Sequence, residues 1–218
     1  MQNMARHKLV QKYGKTTTGI AVVCLAVLIL NSIFISKSSL AAISENGFIA
    51  WIMNFLAGCE GYLGKIGSMS KAEVFGNGQW WRVLTHVYLH AGVLHCLFNV
   101  FALLFSGKAV ERKLGSLRAL IMFHLIAVVN AVILCLLYPS STAVGASAGI
   151  FGFLGMLVCF MAMDKSKAKE YLSRGEAIYL VIFSVLSLVL GMESFITHLM
   201  AFALGILAGA LLRASRIA

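Results

Sequence analysis

Long apolar runs recur along this chain, and short clusters of Lys and Arg separate them. A run of that length satisfies its backbone in hydrocarbon only as a helix, so the pattern limits the chain to a bundle of membrane-crossing helices. The composition agrees: 60% of residues are hydrophobic and 12% charged, where soluble domains run near 45–50% and about 25%. Disorder, a collagen-like repeat and an ordinary water-soluble domain are excluded. A single proline argues against a linker-rich multidomain chain. A length of 218 residues leaves room for roughly six or seven spans of about 20 residues each.

The runs place six spans at 18–35, 83–106, 119–138, 147–163, 177–190 and 194–212. The expected fold is therefore all-α, a six-transmembrane-helix bundle. Residues 1–17 and 213–218 form its tails, and 36–82 a long external loop. The first run has basic residues before it and a weak cleavage-like Ser39-Leu40-Ala41, as a signal peptide would. It is long for that role and more spans follow, so it reads as an uncleaved span. Within the long loop, Phe48 to Leu63 is amphipathic and broken by Gly58, Gly61 and Gly64, which suits an interfacial helix. Trp80 and Trp81 suit the headgroup level.

The net charge of +10 follows the same arrangement. Fourteen Lys and Arg fall on the side of the two tails and the loops after spans two and four, and four on the other side. The split orients both termini to the cytoplasm, in a plasma or cell inner membrane. The basic residues thus match the bilayer, and no nucleic-acid partner is expected. The five cysteines form no CxxC and read as small buried side chains.

Polar groups inside spans are costly and point to function. Span two carries His86, His90, His95 and Asn99; span four opens with Gly145-Ala146-Ser147-Ala148-Gly149; span six carries His198 near its start. Spans two, four and six run in the same direction, which puts Ser147 and His198 in the outer half. His95 and Asn99 are four residues apart and share a face. A serine hydroxyl needs a base within hydrogen-bond reach, and imidazole is the usual one. An oxyanion needs fixed donors, which Asn, His and the free N–H groups of a helix N-terminus supply. Gly145 and Gly149 let a substrate approach the backbone closely. Ala201, Gly205 and Gly209 fall within about 60° of His198 round its helix, which puts the base on a tightly packed face, against span four.

Other chemistries fit less well. His86 and His90 have a zinc-binding spacing, but Val87 stands where that motif needs Glu, so no metal is expected. Imidazoles could clamp a haem, which would leave the segment around Ser147 unexplained; no cofactor is expected. A transporter predicts polar residues through the whole depth of a pathway, whereas here they gather in the outer half. His124 has no polar companion and reads as a packing or bundle hydrogen-bond residue.

The chain resembles the rhomboid family of intramembrane serine proteases. The resemblance runs from about Gly78 to Leu212 and rests on Trp81-Arg82, His90-x4-His95-x3-Asn99, Gly107-x3-Glu111-x3-Gly115-Ser116, Gly145-x-Ser147, and His198 with Gly205 and Gly209. It implies a six-span core, a Ser147–His198 dyad without a carboxylate, and oxyanion donors from His95, Asn99 and the Ser147 backbone. It further implies that Phe151 stacks on His198, that His90, Arg82 and Glu111 are structural, and that the substrates are transmembrane segments of other proteins. Ala201 stands where the family often has Gly, and Phe151 where Tyr is common. The alternative is a catalytically silent adaptor that binds transmembrane helices. Glu193, the acid near His198, lies about 140° away round the helix, off the dyad face.

Overall fold

The computed structural model describes residues 12–31, 65, 67–188 and 192–215. The expected interfacial helix at 48–63, most of the N-terminal tail and Cys59 lie outside the described residues. What is described is mostly helical: α1 (Lys15–Asn31), α2 (Arg82–Thr85), α3 (Val93–Leu114), α4 (Ser116–Leu137), α5 (Ser147–Met163), α6 (Ala168–Tyr171), α7 (Arg174–Leu188) and α8 (Met192–Ala214). Two short strands, β1 (Met69–Ser70) and β2 (Thr142–Ala143), pair antiparallel with Met69 opposite Ala143. The all-α expectation omitted this pair.

Among the described residues α3, α4 and α8 are long and apolar enough to cross a membrane, at 22, 22 and 23 residues. At 1.5 Å per residue they reach about 33–35 Å, just over the hydrocarbon thickness. α1 and α5 are apolar but shorter. The side chains exposed on these helices are themselves apolar, Leu120, Ile121 and Leu125 on α4 and Leu199, Leu207 and Leu211 on α8 among them. Such faces suit lipid.

The expected second span needs correction. Its helix begins at Val93, ten residues after Val83, and continues to Leu114, past Ser106. The apolar stretch before it is not continuous helix: α2 gives way to a 3₁₀ turn at His86–Tyr88, and Leu89 turns extended. The cause is tertiary, since the His86 carbonyl accepts the Gly145 N–H at 3.0 Å. The fourth span matches α5 at both ends. The others differ by a few residues where they can be compared.

Glu111, Arg82 and the Lys108–Glu176 pair tie the frame. Glu111 on α3 caps the start of α1: its oxygens accept the N–H groups of Thr16 and Thr17 at 3.0 and 2.9 Å and the Thr17 and Ser116 hydroxyls at 2.8 and 2.5 Å. A helix N-terminus leaves these N–H groups unpaired and favours an anion. Arg82, buried, donates to the Ser68 carbonyl at 2.8 Å and to Gln79 Oε1 at 2.6 Å, and lies 3.6 Å from Glu73. Lys108 on α3 pairs with Glu176 on α7, and the Tyr179 hydroxyl of α7 donates to the Phe98 carbonyl at 3.0 Å.

α5 is the central helix. It packs most extensively against α8 and also meets α3 and α4. Ile150, Phe153 and Met156 on it are fully buried, with Phe123 of α4 against Phe153. Cys24, Cys96, Cys135 and Cys159 are buried free thiols.

Candidate active site

The site begins where the chain turns from β2 into α5. Gly145 has φ +106°, a conformation that side chains rarely adopt, and a Cβ there would sit 3.0 Å from the His95 ring. Only glycine meets both demands. Ser147 is the first residue of α5, and Ala146 before it provides no side-chain cap. The N–H groups of this first turn have no partner within the helix. The Ala146 N–H points to His90 Nε2 at 3.5 Å.

α8 presents His198 to this turn. Its Nε2 lies 2.9 Å from Ser147 Oγ. Phe151, one turn along α5, stacks on the imidazole with ring centres 4.4 Å apart and planes 12° from parallel. His198 is 7% exposed and Phe151 3%, so the ring is held on one face by aromatic packing. The close α5–α8 approach comes from the small residues read in the sequence. Ala201, Gly205 and Gly209 are buried, and a Cβ on Gly205 would overlap the Gly152 backbone.

His95 and Asn99, on α3, face the same place. The Ala91 N–H donates to His95 Nδ1 at 3.3 Å, so a neutral His95 carries its hydrogen on Nε2. Asn99 is 2% exposed and spends one amide N–H on the His95 carbonyl at 2.8 Å. The other amide N–H remains to act as a donor.

Two cavities flank the Ser147–His198 pair. One, about 510 Å³, has polar walls that include His86, Asn130, Ser141, Thr142, Glu193 and Thr197. The other, about 520 Å³, opens between α3 and α7 and is lined by Phe98, Phe183 and Leu186 together with His95 and Asn99. Ser147 and His198 line both, on the wall between them. An extended peptide has apolar room on one side of the serine and polar room on the other.

The remaining sequence candidates support this frame from outside it. His86 and His90 do not act as a pair: His86 Nδ1 meets the Arg82 carbonyl at 3.0 Å, while His90 turns to Ala146 and packs edge-on against His95. His124 bonds the Tyr88 hydroxyl at 2.7 Å, a bundle hydrogen bond. Arg82 and Glu111 hold loop and helix ends, as described above. Glu193 accepts from Ser141 at 2.5 Å.

Sequence reasoning missed what faces the far nitrogen of His198. Nδ1 lies 3.3 Å from Ser194 Oγ and 3.3 Å from the Ser187 carbonyl. A signal was present for the first, since Ser194 precedes His198 by four residues and so shares its helix face. A carbonyl from a neighbouring helix leaves no mark in the sequence. Asn130, 1% exposed in the polar cavity, was also passed over in an otherwise apolar run.

Comparison with known proteins adds a second line of evidence. Residues 77–215 match the Rhomboid domain. The chain is 39% identical over 95 residues to Rhomboid protease GluP of Bacillus subtilis (strain 168), covering 44% of this chain and 18% of that protein. It is 32% identical over 115 residues to Rhomboid-like protease 3 of Toxoplasma gondii, covering 53% and 44%. It is 35% identical over 92 residues to Putative rhomboid protease YdcA of Bacillus subtilis (strain 168), covering 42% and 46%. The chain thus spans less than half the length of each of these relatives.

Proposed function

The chain belongs to the rhomboid family, and from that premise we propose that it is an intramembrane serine endopeptidase that cleaves transmembrane segments of other membrane proteins. The observation that carries the reading is the 2.9 Å contact between Ser147 Oγ and His198 Nε2 at the free N-terminus of a helix. Ser147 donates its proton to His198 as Oγ attacks the scissile carbonyl carbon. The oxyanion is met by the Ser147 N–H, His95 Nε2–H and the second Asn99 amide N–H. His198 then passes the proton to the leaving amine, and water drawn to the same base releases the acyl group. Phe151 keeps the ring in plane, and Gly145 keeps the approach to Ser147 clear. No cofactor or metal takes part.

The membrane arrangement belongs to the same proposal. Six spans cross the bilayer, both termini are cytoplasmic, 36–82 is external, and the membrane is the plasma membrane. The charge distribution supports this orientation.

The test is labelling of the purified chain with a fluorophosphonate, a reagent for activated serines. Wild type should react and Ser147→Ala should not. A chain that stays unlabelled while binding a transmembrane peptide would be the silent adaptor.

A further inference from the structure

A Ser–His pair works only with the imidazole in one tautomer. Nε2 must be bare to take the proton from Ser147, so the hydrogen must sit on Nδ1. In a triad a carboxylate enforces this. Here the carboxylate nearest in sequence, Glu193, is engaged with Ser141, and α5 offers the ring an aromatic face. From α3 the titratable group in the shared cavity is His95.

Among the described residues, what meets Nδ1 is a neutral pair. Ser194 Oγ and the Ser187 carbonyl oxygen are each 3.3 Å from it, and Ser194 Oγ is 3.1 Å from that same carbonyl. A carbonyl can only accept, and a hydroxyl has one hydrogen to give. Ser194 gives its hydrogen to Ser187, which leaves only lone pairs facing Nδ1. Both neighbours of Nδ1 are therefore acceptors, and the opposite tautomer would set lone pair against lone pair. Ser187 lies in the last turn of α7, where helix carbonyls lack an intrahelical partner.

We propose that Ser194 is a positioning residue of the catalytic unit: its hydroxyl, oriented by the Ser187 carbonyl, fixes the hydrogen on His198 Nδ1 in place of a triad carboxylate. The proposal rests on the serine-protease reading. It also divides the labour between two helices. Ser187 sits on α7, which walls the apolar cavity with Phe183 and Leu186. A peptide seated there bears on α7 and on that carbonyl. Ser194 rides on α8 with His198, one turn before it.

The test uses the full chain in detergent with Ser194→Ala, Ser194→Thr and Ser194→Val. Thr and Val have nearly the same shape and differ in the hydroxyl. With a transmembrane peptide substrate, Ala and Val should lower kcat and the rate of fluorophosphonate labelling about tenfold, with KM unchanged. Thr should stay within about twofold of wild type. Nitrogen NMR of the His198 ring reads the tautomer without any turnover. The hydrogen should sit on Nδ1 in wild type and the Thr variant; the Val variant keeps the Ser187 carbonyl as the acceptor at Nδ1, and there the Nε2 tautomer should become detectable. Equal behaviour of Thr and Val, an unchanged Ala variant or a loss confined to KM would overturn the role of Ser194. A wild-type chain that does not react at all, with its hydrogen on Nδ1, would instead refute the protease reading.

Discussion

The proposed dyad bridges two helices, so its geometry is set by how closely α5 and α8 approach. Gly205→Ala tests this. A Cβ on Gly205 would lie 2.7 Å from the Gly152 carbonyl carbon and 2.9 Å from its Cα, and closer still to the carbonyl oxygen. Ordinary contacts of that kind need about 3.5–4.0 Å, and the obstacle is backbone, so the helices must part by about 1 Å. Gly205 is seven residues from His198, about 10 Å along the axis, so the displacement reaches the site. Adding about 1 Å to the 2.9 Å Ser147–His198 distance exceeds hydrogen-bond reach. A misplacement of that size costs on the order of 10²-fold in turnover. The overpacking should cost about 1–3 kcal/mol of stability, read as a lower melting temperature in detergent. Leu207→Ala, on the exposed face of the same helix, is the control and should keep full turnover. If Gly205→Ala cleaves a transmembrane substrate at the wild-type rate, the close helix contact does not position the dyad.

Asn99→Ala should lower kcat by about 10²–10³-fold without abolishing it, since the Ser147 N–H and His95 remain as donors; unchanged turnover removes Asn99 from the oxyanion site. Glu111→Ala strips the cap from α1 and leaves the buried Thr17 N–H and the half-buried Thr16 N–H without their carboxylate partner, which should cost about 2–4 kcal/mol in thermal melting, while Ser147 keeps reacting with fluorophosphonate at temperatures where the chain is folded. Tags fused to either terminus should be protected from protease in intact cells, and a tag at Ala42 should be cut; the reverse pattern would invert the proposed orientation.

The residues of the proposed site could be picked out in the sequence because they are of types that are expensive in a membrane. Ser147, His198, His95 and Asn99 stand out against an apolar background for that reason, and the small residues after His198 mark the helix that must come close. The entry to α3 could not be read. Val83 to Leu89 looks as apolar as the helix that follows, and what interrupts it is the His86 carbonyl, taken by Gly145 59 residues later. The β1–β2 pair escaped for a similar reason: two-residue strands carry no alternation, and their partners lie 72 or more residues apart. The resemblance marked Glu111 as structural, but its partner could not be named, because the cap joins a carboxylate to backbone N–H groups of a helix 95 residues earlier. Ser194 is the instructive omission. Its spacing from His198 puts it on the same helix face, but an uncharged hydroxyl stands out far less than a carboxylate in an apolar helix.

The account turns on Ser147 and His198 acting as one unit. The most direct measurement is the cleavage rate of a transmembrane substrate by Ser147→Ala, His198→Ala and the double variant, each shown by melting to be folded. Residues that act together are strongly non-additive, so each single variant should abolish cleavage and the double should be no worse than either. Substantial cleavage by His198→Ala, with loss on replacing His90 or His95, would put the base on α3 or the segment leading into it and contradict the account.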